Sequence, residues 1–239
     1  MNRITGLVSL FLAFIFLLVK SVSSQNANKN IIQIDLKKIL NARPVSVFAG
    51  NKLITWTKGI DGNGLADGYL TRAAALFNGD VDPHALPDNA QIPANEEHPQ
   101  INLHYSNNKP DQNQAFSFNS ADSVEFDVPA KEYQKIFLAL TSAEGPSEIQ
   151  VTLIYSIGKE VKSFTVPDYY NDIPKTDPNY CYLLHDLAKW GNKNNMTEKD
   201  HHNIDLLKII PDGNRKLKQI KISKAKPGYL VFWTAVGVI

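Results

Sequence analysis

Alternation of apolar and polar positions dominates the second half of the chain. Val124, Phe126 and Val128 alternate with Glu125 and Asp127. Ile149, Val151, Leu153 and Tyr155 alternate with Gln150, Thr152 and Ser156. A period of two buries one face of a strand and wets the other. Residues 136–140 are continuously apolar, which suits a strand covered on both faces. The turn Ile157-Gly158-Lys159 joins residues 149–155 to residues 161–166 and predicts a hairpin. Residues 204–210, 217–223 and 229–238 read as three closing strands.

The first half is less regular. Residues 31–36 predict a strand or a short turn into 37–40. Residues 45–48 and 53–56 flank Gly50-Asn51-Lys52 and predict a second hairpin. One strand is expected at residues 101–105, within a proline- and amide-rich stretch from 78 to 113 that otherwise reads as surface loop. Residues 182–189 read as one or two helical turns, and no long helix is expected. Repeated short strands with turn signals between them predict an all-β protein, an antiparallel β-sandwich with little helix.

The N-terminus adds a destination. Arg3 precedes an apolar run from Gly6 to Val19, followed by Ser21-Val22-Ser23-Ser24. A basic start, a short apolar middle and small residues before Gln25 predict a signal peptide over residues 1–24. The run is short for a hydrocarbon core of ~30 Å, so the mature chain is expected to keep no transmembrane anchor, an uncleaved anchor being the alternative. Residues 25–30 then form a flexible lead-in, and 31–239 a single domain. The expected location is periplasmic or extracellular.

Composition narrows the chemistry. The full chain carries a formal net charge of +1, and the signal removes Arg3 and Lys20 without any acid, leaving the rest near neutrality. No basic stripe interleaved with aromatics appears, so nucleic acid is not an expected partner. The single cysteine, Cys181, forms no internal disulfide and reads as a buried structural thiol. No cysteine follows the apolar run, which excludes a lipoprotein anchor there.

A resemblance covers most of residues 31–239. The passage from 124–128 through Pro129-Ala130-Lys131-Glu132-Tyr133 into 136–142 is similar to one in galactose-binding-like jelly-roll domains of bacterial carbohydrate-active proteins. Residues 150–155, with 159–166 ending in Pro167-Asp168-Tyr169-Tyr170, resemble their central hairpin. Residues 207–211, 216–222 and 230–236 resemble their last three strands, and 59–75 their glycine- and aspartate-rich stretch. The resemblance implies a jelly-roll sandwich and a glycan or polysaccharide partner, or a supporting role beside glycan-processing enzymes. The expected departure from the pattern is that no catalytic domain is fused to the sandwich.

Candidate site residues follow from what sugars need: a flat aromatic face, with amides and carboxylates for the hydroxyls. Tyr169 and Tyr170 adjoin Asn171 and Asp172. Trp190 precedes Asn192, Asn194 and Asn195, and Trp56 leads into the glycine-rich loop. Each is a candidate platform; the alternative is a packed core ring, the expectation for Trp233. Asp61, Asn63 and Asp67 offer oxygens suited to a structural Ca²⁺. Arg72 stands where an EF-hand needs its glutamate, and the alternative is a self-bonded Asp/Asn turn. His201, His202 and Asp205 form the densest histidine group, but adjacent strand residues face opposite ways and zinc needs convergent ligands. Glu96, Glu97 and His98, with Glu132 or Glu144, offer carboxylates for a hydrolase or lyase. Asn195-Met196-Thr197 matches a glycosylation acceptor. The leading expectation is a secreted, non-catalytic glycan-binding protein. An accessory protein packing on a partner, and a polysaccharide-acting hydrolase or lyase, are the alternatives.

Overall fold

The computed structural model describes residues 30–61, 66–81, 84–118 and 121–239; the segment expected to be a signal peptide and most of the expected lead-in lie outside them. The elements run β1 (Ile31–Gln33), β2 (Val45–Ala49), β3 (Lys52–Ile54), β4 (Tyr69–Leu70), α1 (Arg72–Phe77), β5 (Gln91–Ile92), β6 (Ile101–Asn102) and β7 (Phe116–Phe118). Eight longer strands follow: β8 (Asp122–Lys131), β9 (Lys135–Ala143), β10 (Ser147–Tyr155), β11 (Lys159–Val166), β12 (Tyr180–Trp190), β13 (Met196–Ile209), β14 (Leu217–Lys224) and β15 (Tyr229–Val238). The protein is all-β and sandwich-like, as the alternation predicts.

Two antiparallel sheets form the frame. One has the order β11-β10-β14-β8. The other runs β1-β15-β9-β13-β12, with β7 sharing the β15 edge that β1 occupies further along. Val124, Phe126, Ile149, Val151, Ile220 and Ile222 of the first sheet pack onto Ile136, Leu138, Leu140, Leu207, Leu230 and Phe232 of the second. The second sheet is covered on its other face as well. There Phe137, Ala139, Leu206, Val231 and Trp233 meet Val45, Tyr69, Leu86, Ile101 and Tyr105 from the first half of the chain. That double cover is why β9 is a continuous apolar run. In β15 a register shift between Phe232 and Thr234 inserts one residue. The bulge flips the alternation, so Ala235 rejoins the face of Leu230 and Phe232.

The two predicted hairpins form. β2 and β3 join through Gly50 and Asn51, both with positive φ (59° and 60°), as a two-residue turn of the primed kind requires. β10 and β11 pair along their length. Three expectations need correction. Residues 182–189 belong to an edge strand, because β12 pairs with β13 through repeated register shifts. Those shifts place Leu183, Leu184, Leu187 and Ala188 at a spacing that imitates a helical face. The strand expected at 101–105 shrinks to Ile101 and Asn102, paired with β5. The one helix among the described residues, α1, was not anticipated; Thr71 caps it by accepting from the Ala74 amide.

Much of the 78–113 stretch is fixed in place rather than loose. Arg43 is fully buried and donates to the carbonyls of Thr55, Asn107, Lys109 and Gln112. One side chain thereby satisfies a run of loop carbonyls that strand pairing leaves open.

Candidate functional site

The strained pair β12–β13 and the connection before it bring two polar groups together. The inner group centres on Lys189, near the end of β12. Its Nζ lies 2.7 Å from Glu198 Oε1, directly across on β13, and 3.1 Å from Asp61 Oδ2. It donates to the Tyr169 hydroxyl at 2.9 Å and stands 3.7 Å from Asp67 Oδ2. Tyr169 in turn donates to Asp61 Oδ2 at 3.1 Å, and Thr197 to Asp67 Oδ2 at 2.7 Å. Burial works to lower the Lys189 pKa, but its bonds to Glu198 and Tyr169 and the Asp61 charge outweigh this and raise it. Burial likewise opposes ionisation of Glu198, and Lys189 overrides it to hold that carboxyl below its usual range.

This group answers the calcium expectation. Asn63 lies outside the described residues, while Asp61 and Asp67 share an ammonium supplied by the chain itself. Asp61 Oδ1 also accepts the Asp67 amide at 3.0 Å, which is the self-bonded turn. Gly59 is required here: a Cβ would meet the Asp67 carbonyl at 2.2 Å. Of the oxygens expected to draw Ca²⁺, those of Asp61 and the Asp67 Oδ2 are engaged within the chain.

The outer group lines a shallow cleft of about 210 Å³ between the β11–β12 connection and the β12–β13 pair. Tyr170 is 51% exposed. Its ring stacks on the His201 imidazole, with centroids 5.5 Å apart and planes at 23°, and meets His202 edge-on. Asp172 accepts from the Tyr182 hydroxyl at 3.1 Å, and that hydroxyl accepts from the Ile173 amide at 2.9 Å. Tyr182 leans on His185, their rings 5.3 Å apart. Asn203 accepts the Asp186 amide at 3.1 Å and donates to the Asn171 carbonyl at 3.3 Å. Asp186 and His201 both hold left-handed backbone, with φ of 59° and 74°. Such positions are uncommon away from glycine and cluster at functional sites. Asp200 bonds the His201 imidazole and raises its pKa.

The sequence candidates thus separate. Tyr170 and Asp172 sit in the cleft. Tyr169 is buried, with its hydroxyl spent on Lys189 and Asp61. Trp190 is fully buried and donates to Asp80 at 3.0 Å, while Trp56 packs with Leu70, Ala74 and Ala75. Neither tryptophan offers a free face, because both lie in one buried cluster with Leu70, Ala74, Ala75, Ala85 and Ala188. Trp233 is buried, donating to Thr141 at 2.9 Å. His201 points outward and His202 inward, as strand alternation requires, and Asp205 is buried on the sandwich side. The three do not converge. Both Asp205 oxygens lack a hydrogen-bond partner, and burial pushes its carboxyl up to about 8. Glu96, Glu97, Glu132 and Glu144 are exposed, and His98 is buried against Asn95 and the Pro99 carbonyl. Cys181 is half-buried, and burial pushes its thiol up to about 11.

Sequence reasoning missed Tyr182, His185, Asp186 and Asn203 as members of one cleft, since 182–189 read as helical. Lys189 had a signal: a lone cation inside Leu187-Ala188-Lys189-Trp190. Chemically, the cleft joins an exposed aromatic face to carboxylates, imidazoles and an amide. The chain matches no model of a known protein family, and no curated protein matches its sequence.

Proposed function

We propose that the protein is exported by its N-terminal signal and binds glycans without turning them over, at the cleft around Tyr170. The observation that carries this reading is the half-exposed Tyr170 ring, flanked by Asp172, Asp186, His185 and Asn203. A pyranose presents a C–H face for stacking and hydroxyls for carboxylates and amides. The resemblance to galactose-binding-like domains supports the same ligand class. Few contacts in a shallow cleft imply weak binding, micromolar to millimolar.

A glycan array probed with wild type and Tyr170→Ala tests the reading. We expect a wild-type signal that falls about tenfold in the variant. Tyr170 is exposed, so melting should barely change. A wild type that binds no glycan, or a variant that binds equally, removes the proposal. One observation favours the accessory reading instead: Leu76, Phe77 and Val81 are exposed on and just after α1. Phe77 stacks on Phe48 there, with centroids 4.6 Å apart.

A further inference from the structure

Two carboxylate groups in this protein meet very different fates. Asp61, Asp67 and Glu198 converge on Lys189, which neutralises them in part from within the chain. Asp186 and Asp200 have no such cation. Their ion pairs among the described residues are with imidazoles, His84 for Asp186 and His201 for Asp200, and not with any lysine or arginine. One ligand atom from each of Asp186, Asp200 and His201 lies within 4.8 Å of the other two. Holding two carboxylates so close without a cation is unfavourable. What relieves it is either the two neighbouring imidazoles, His84 and His201, or a bound ion.

The donor set is mixed, one imidazole nitrogen with two carboxylates. Nitrogen donors select first-row divalent ions such as Zn²⁺ over Ca²⁺, which prefers several oxygens. The backbone aims the donors. The left-handed turns at Asp186 and His201 lift both side chains out of the β12–β13 ladder toward solvent, and His84 Nδ1 lies 3.1 Å from Asp186 Oδ2, placed to orient that carboxylate. Tyr170 closes one side by stacking on His201.

We infer that Asp186, Asp200 and His201 form a binding site for a divalent transition-metal ion, zinc by preference, at the rim of the Tyr170 cleft. Three protein ligands leave positions open on the ion, where water or a ligand oxygen completes the shell. The inference does not depend on glycan recognition, because the ion is measured alone.

The test is calorimetric titration of the mature protein with zinc chloride and, in parallel, calcium chloride. Wild type is expected to take up one zinc ion per chain, with proton release, and to bind calcium far more weakly. Asp200→Asn and His201→Gln should each weaken zinc binding by more than about tenfold. Their melting temperatures without metal should stay near wild type, since the His201 side chain is 60% and the Asp200 side chain 45% exposed. Asp186→Asn is the less clean variant, because Asp186 Oδ1 accepts the His201 amide. Broadening of the His201 imidazole NMR signals by Co²⁺ places the ion independently. Absence of zinc binding by wild type overturns the site, and so does zinc binding that His201→Gln leaves unchanged. Calcium binding as tight as zinc overturns the assignment of the ion. A glycan array that fails while zinc binds would sink the proposed function and leave this site standing.

Discussion

Lys189 shows what one residue decides. It ties the 61–67 loop, Tyr169 and the start of β13 to a single ammonium whose side chain is 9% exposed. Lys189→Met keeps the length of the stem but strips the buried Asp61 carboxylate of its cation and leaves it facing the partly exposed Asp67 and Glu198. Breaking a buried pair from one side typically costs about 3–5 kcal/mol, against about 1 kcal/mol or less for a surface pair. Urea unfolding should show a loss in the first range, and Glu198→Gln added to Lys189→Met should restore part of it. A loss in the second range would mean that water screens the group. The sequence hinted at this hub only weakly. A lysine in an apolar segment is visible, but its partners lie 128 and 9 positions away, and no local spacing announces them. For the same reason Asp61 and Asp67 read as a cation site: the need for a positive charge was legible, and its source was not. Aromatic side chains were the harder case. Tyr169 and Tyr170 are neighbours in sequence, and the turn that carries them after β11 sends one into the core and the other to solvent.

Elements were legible where one rule governed them. β8 and β10 alternate cleanly because each has one buried face, and β9 reads as continuous because both its faces are covered. β12 defeated the reading because its register slips several times against β13. Each slip breaks the period of two on which recognition rests. The same slips present His185 and Asp186 outward, so the feature that hid the cleft also makes it. The 78–113 stretch was under-read for a different reason. The order of its last part, residues 107–112, comes from Arg43, more than 60 positions distant from Asn107 and Lys109. Arg43→Leu removes the donors from those carbonyls and from Gln112. Amide exchange across residues 104–114 should then accelerate by orders of magnitude, while β9 keeps its protection at the global limit. Uniformly faster exchange in both would mean that Arg43 supports the whole fold, and unchanged exchange would mean that the loop holds itself.

At the scale of the molecule, a frame whose central sheet is buried on both faces has little room for a charge, yet Asp205 stands in that sheet. It is fully buried on β13, between Leu140 of β9 and Tyr182 of β12, and neither oxygen finds a partner. The groups that act on it from neighbouring segments are acidic or neutral: Asp168 raises its pKa further, after burial itself, and the Tyr180 hydroxyl is likewise unpartnered. The folded carboxyl therefore keeps its proton up to about 8, whereas in an unfolded chain it releases it near 3.8, the ordinary value for an aspartate. Between those values the unfolded state binds fewer protons than the folded one. Stability from this group is present below the lower value, falls as pH rises through the window, and levels off above the upper one. Asp205→Asn keeps the shape of the protonated side chain and cannot ionise. The variant should melt higher than wild type at pH 8, and the difference should shrink steadily toward pH 4. Every other titrating group is common to both proteins, so the difference isolates Asp205. A gap that is constant across that range would show that the carboxyl does not titrate inside the fold. A gap of the opposite sign would mean that a cation reaches Asp205 from a partner absent among the described residues.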